Sequence, residues 1–89
     1  MSTFSMLHGT ERIVDDHRIG VIASGVDDEG VSLAYLGIIH GDSWDKITVC
    51  KGEEKTLSSG WVLRLLDLRY LPEGAGKATI DLELSHPGD

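Results

Sequence analysis

An all-β fold, built as a small antiparallel β-sandwich or barrel of six to seven strands, is what this 89-residue chain predicts. Three observations predict it. The segment KATIDLELS (77–85) alternates without error, with Ala78, Ile80, Leu82 and Leu84 on one side and Lys77, Thr79, Asp81 and Glu83 on the other. Turn-forming clusters recur along the chain, so connections are too short for helical crossovers and favour antiparallel neighbours. No long segment carries an amphipathic helical stripe with caps. At most one short helical turn is expected.

Taken in order, RIGVIAS (18–24) is the first strand, followed by the turn GVDDEG. VSLAYLGII (31–39) is apolar on both faces, which suits the centre of a sheet or a subunit contact. HGDSWD (40–45) reads as a loop, and KITVC (46–50) as a strand. Lys46, Lys51 and Lys55 lie in and around that strand, and lysines commonly guard an exposed edge. Cys50 shares a face with Lys46 and Thr48. The pieces KGEE, KTL and SSG then lead to WVLRLLDLRYL (61–71).

This apolar segment is ambiguous at first sight. On a helical wheel, at about 100° per residue, Arg69 falls inside the arc of Trp61, Val62, Leu65 and Leu66, so no polar face results. As a strand, its two halves alternate out of step by one residue. A single β-bulge near Leu65–Leu66 restores the phase, because a bulge sets two residues against one and re-aims the rest of the strand. With the turn PEGAG between them, 61–71 and 77–85 form a C-terminal hairpin. Arg69 should then face Asp81 or lie diagonal to it. Val62 and Leu71 remain as the apolar residues of this hairpin open to a partner.

Composition excludes several function classes. Residues 1–89 make one domain, with 86–89 (HPGD) read as a disordered tail. The lone Cys50 cannot form an internal disulfide, the N-terminal stretch lacks the basic head and apolar core of a signal peptide, and no apolar run reaches bilayer-spanning length. A cytoplasmic protein without a membrane partner is expected. The net charge is −7, with eight acids against two bases in residues 1–45 and seven against six thereafter. Such a field repels phosphates, so a nucleic-acid partner is not expected, whereas a basic protein partner is.

Candidate chemistry is sparse. His40 and Asp42 share one loop, and DDH (15–17) places His17 near Asp15, so His17, His40 and Asp42 are the candidate catalytic residues, by imidazole–carboxylate proton transfer. An ordinary solvated turn for HGDSWD, and an exposed turn or strand end for DDH, are the readings these compositions favour over chemistry. The four histidines show no H-x-x-x-H or C-x-x-C spacing, and no glycine pattern cradles a phosphate, so neither metal nor cofactor is expected. Candidate binding residues are Asp27, Asp28 and Glu29 at a turn tip, where charge would steer a basic partner, and Trp44.

The expected function is a small acidic, non-enzymatic protein-interaction domain, an accessory subunit or inhibitor-like binder. The alternative is a small β-barrel ligand carrier, or an isomerase- or cyclase-like enzyme, with a cavity between its sheets and polar groups from His17, His40, Asp42 and Tyr35. An apolar cavity of at least about 300 Å³ receiving a histidine or carboxylate would mark the alternative. A homodimer is compatible with the thin core, because pairing buries further apolar surface.

Overall fold

Eight strands in two antiparallel sheets make up the computed structural model, which describes residues 1–70 and 78–87. They are β1 (Ser2–Leu7), β2 (Glu11–Val14), β3 (His17–Val26), β4 (Ser32–His40), β5 (Ser43–Cys50), β6 (Glu54–Thr56), β7 (Val62–Tyr70) and β8 (Ala78–Ser85). The first sheet has the order β1-β8-β7-β6 and the second β2-β3-β4-β5. No helix occurs among the described residues. The all-β expectation holds, and of the sandwich and the barrel left open by the sequence the two separate sheets are the sandwich, with more strands than the six to seven counted from the sequence. The additional ones come from residues 1–17, where β1 and β2 are short and only Phe4 and Met6 of β1 point fully inward.

β8 keeps the alternation expected of it, with Ala78, Ile80, Leu82 and Leu84 buried and the residues between them half-buried. Its partner β7 pairs Leu65 with Leu82 and then Asp67 with Asp81, so Leu66 is the extra residue of a bulge. The bulge returns Leu68 to the core beside Leu63 and Leu65. Arg69 pairs with Thr79 and reaches diagonally to Asp81 at 2.9 Å. The intervening turn 72–76, Leu71, Lys77 at the start of the expected second strand and the last two residues of the expected tail, 88–89, lie outside the described residues, and Val62 is half-buried.

In the second sheet β4 is central and β5 lies at the edge. HGDSWD is not a six-residue loop. Gly41 takes a positive φ of 58° at the first central position of a two-residue turn, so the strands zip directly beyond it, His40 opposite Ser43 and Ile39 opposite Trp44. Between β2 and β3 both central residues, Asp15 and Asp16, have positive φ (48° and 61°), as a type I′ hairpin turn requires. The β5 edge is partly covered, because the Asp45 carboxylate accepts hydrogen bonds from the backbone N–H and hydroxyl of Ser58.

The chain changes sheets twice, and each crossing meets a bulge. Between β1 and β2, Gly9 N–H bonds to the carbonyl of Val21, and Val21 N–H to that of Thr10, where β3 slips register between Val21 and Ala23. Between β5 and β6, Gly52 N–H bonds to the Leu65 carbonyl and Leu65 N–H to that of Glu53, at the bulge of β7. Each bulge bends its strand to meet the crossing segment, which supplies partners for backbone groups the ladder leaves over. Among the described residues, sixteen buried apolar side chains fill the space between the sheets, Ile19, Leu36, Leu65 and Leu82 among them. Each contributes roughly 1.5–3 kcal/mol where it is a large aliphatic side chain.

Candidate functional site

His17 and His40 close one end of this core. Both follow the inward phase of their strands, and their rings stack at 4.1 Å between centroids with 19° between planes. His17 is completely buried. Its Nδ1 lies 2.8 Å from the Asp15 carbonyl, which can only accept, so Nδ1 carries a proton. In the neutral ring Nε2 then accepts from the Ser59 hydroxyl at 2.9 Å. Trp61 meets the His17 ring edge-on at 5.1 Å, and His86 meets Trp61 at 4.9 Å. Asp42 is exposed in the adjoining turn, and its carboxylate bonds to neither ring. The two histidines are therefore brought together, but as a packed plug in which the buried His17 has both ring nitrogens satisfied.

The acidic turn also spends part of its charge on structure. The Asp27 carboxylate accepts the backbone N–H groups of Glu29 and Val31, both at 2.9 Å, which holds the β3–β4 turn in shape. Asp28 and Glu29 are exposed there.

The outer face of the second sheet carries the unusual surface. Its register sets four residues in each cross-strand row. One row is Ile13–Arg18–Ile39–Trp44, and the next is Glu11–Gly20–Gly37–Lys46. Beyond lie Ile22 and Ala23, then Tyr35 and Thr48, so that two adjacent glycines form the floor of a trough between taller rows. Four strands spaced about 4.8 Å apart put the backbones of Glu11 and Lys46, at the two ends of the trough, about 14 Å from one another. It encloses about 330 Å³. Arg18 pairs with Glu11 at 3.5 Å, and Lys46 sits over the Trp44 ring at 5.3 Å.

Exposure on this face is high for apolar residues: Ile13 69%, Ile22 49%, Ile39 49% and Trp44 62%. Scattered exposed apolar side chains are ordinary, but these occupy neighbouring rows of one sheet face. Trp44, a candidate binding residue from the sequence, forms one wall. Glu11, Arg18, Gly20, Ile22, Gly37, Ile39 and Lys46 are additions that the structure makes. A signal for two of them exists, since Gly20 in RIGVI and Gly37 in YLGII interrupt apolar strands, and glycine inside a strand often marks close approach by another group.

The groove reaches the expected volume and receives the Glu11 carboxylate, but it opens on the outside of the sheet and not between the sheets. Glu11 is paired there with Arg18, and no histidine is among the groove's described lining residues. Tyr35 also faces outward, by the alternation of β4, so the four polar groups expected of an inter-sheet cavity do not converge. Compared with known proteins, the chain matches no family model, no curated protein and no solved structure.

Proposed function

We propose that the chain is a non-enzymatic protein-interaction domain whose contact surface is the outer face of the β2–β5 sheet. The observation that carries this reading is the contiguous apolar surface of Ile13, Ile22, Ile39 and Trp44 around the glycine trough. Water-exposed apolar area of this kind is stabilised by a partner that covers it, and aromatic and arginine side chains such as Trp44 and Arg18 are the usual anchors of such contacts. Acidic turns flank the face at both ends, Asp28 and Glu29 at one and Asp16 and Asp42 at the other. A heterologous protein reaching past the apolar rows would therefore be steered best if it were basic. A cytoplasmic setting agrees with the free thiol of Cys50.

Site-directed photo-crosslinking in the native host tests the reading. A photoreactive residue at position 44 should yield covalent protein adducts, while one at the exposed Thr56 on the opposite sheet should yield few. Equal yields from the two positions would overturn it.

A further inference from the structure

The geometry points to a second copy of this chain as the occupant of the outer face, docked about a two-fold axis running across the strands. This inference rests on the reading of that face as a contact surface. The face carries a ridge and a trough side by side: Arg18, Ile39 and Trp44 in one row, Gly20 and Gly37 in the next. An axis lying between the two rows, parallel to them, turns the sheet over onto itself with each strand above its own counterpart. The ridge of one protomer then enters the trough of its partner, Ile39 over the partner's Gly37 and Arg18 over the partner's Gly20. By symmetry the same contacts form twice.

Charge agrees with this pairing. On the outer face the groove sets Glu11 against Arg18 and Lys46, the Asp45 carboxylate being turned to Ser58, so the patch lacks the acidic excess of a chain of net charge −7. Two copies repel one another over most of their surface but not here. In the docked pair Arg18 lies beside the partner's Glu11, and the Trp44 ring meets the partner's Lys46, opposite-charge and cation–π contacts of the kinds the face already makes within one copy.

The glycines supply an independent argument. Neither Gly20 nor Gly37 has a positive φ. A Cβ at Gly37 would meet only the Ile22 side chain, and the nearest atom to one at Gly20 belongs to the Glu11 side chain, each at the ordinary contact distance of 3.5 Å. The isolated fold therefore has room for alanine at both positions and would gain strand propensity from it. A close-fitting occupant of the trough has no such room. The axis lies beside Ile38 of β4, two residues from the strand's end at His40, so each copy covers the other over roughly 20 Å by 20 Å, about 400 Å², half the roughly 800 Å² per partner of a standard stable interface. The dimer is accordingly weak and concentration-dependent.

Sedimentation of the purified full chain from micromolar to about millimolar concentration tests the proposal. A reversible monomer–dimer equilibrium is expected. Gly37→Ala should weaken it by about tenfold or more through overpacking, with the thermal midpoint unchanged or raised. Arg18→Glu should also dissociate the dimer, and the double variant Glu11→Arg/Arg18→Glu should restore it. A monomer at every concentration overturns the proposal, as does a dimer indifferent to Gly37→Ala and to Arg18→Glu. Crosslinks from position 44 to other proteins alone would likewise overturn self-pairing while leaving the contact-surface reading intact. Absence of any enrichment at position 44 would remove both.

Discussion

The imidazole of His17 lies flat against that of His40 at the end of the core, 4.1 Å between centroids, with its own two nitrogens engaged by the Asp15 carbonyl and the Ser59 hydroxyl. Two strands of one sheet and the β6–β7 turn of the other are joined through this one ring. It works as a fastening between the layers, and both of its nitrogens are taken up in holding it there.

Ser59→Ala should therefore destabilise the protein by about 1–2 kcal/mol, because Nε2 of a fully buried ring is left without a partner. His17→Ala should cost more, about 3 kcal/mol, since it adds a cavity to the lost hydrogen bonds. Urea unfolding followed by tryptophan fluorescence measures both, with Trp61 in edge contact with the ring as the reporter. A Ser59→Ala variant as stable as the parent would remove the fastening role.

Deleting Leu66 should be tolerated far better than deleting Leu68. Without Leu66 the strand runs Leu65, Asp67, Leu68 in unbroken alternation, and the ladder to Leu82 and Asp81 is kept. Without Leu68 the phase after the bulge inverts, and Arg69 is driven toward the core position. The first deletion should cost about 1–2 kcal/mol and the second should prevent cooperative folding. Thermal unfolding monitored by circular dichroism distinguishes them, and similar losses from both would contradict the bulge assignment.

Acid stability should depend on Asp67, which sits next to that bulge. Its carboxylate accepts the Leu68 backbone N–H at 2.8 Å and pairs with Lys51 at 3.2 Å. The backbone bond first, and then Lys51, hold its pKa below the ordinary 3.8. A carboxyl with a lowered folded-state pKa stabilises the fold above the unfolded value, and that contribution is lost as pH falls through the folded one. Asp67→Asn should therefore lower the urea midpoint at pH 7 and make no difference well below pH 3.8. A gap between variant and parent that persisted in strong acid would contradict this.

The range of each interaction decides how far it is legible in the sequence. The C-terminal hairpin is legible because period-2 alternation and a one-residue phase slip are local signals, and Leu66 and the Arg69–Asp81 diagonal lie where they place them. The central position of β4 and the edge position of β5 are legible from two-sided apolarity and clustered lysines. HGDSWD misleads because its composition is that of a loop, whereas a single glycine with positive φ lets His40 and Ser43 pair at once. The outer face is invisible for a different reason. Each of its rows takes one residue from each of four strands, Glu11, Gly20, Gly37 and Lys46 in one case, and nothing along the chain announces that register.

The pairing of β1 with β8, Ser2 opposite Leu84 and Leu7 opposite Thr79, sets an order of events during synthesis. Strands β2 to β5 occupy one contiguous stretch, Glu11–Cys50, and can zip as successive hairpins while the chain is still being made. β1 is made before these strands yet finds its sheet after them. Phe4 and Met6, both destined for the core, wait uncovered until residues 78–85 leave the ribosome. Closure of that long loop is the slow contact in an otherwise local topology, and the interval before it is when the nascent chain is most exposed to aggregation or capture by a chaperone.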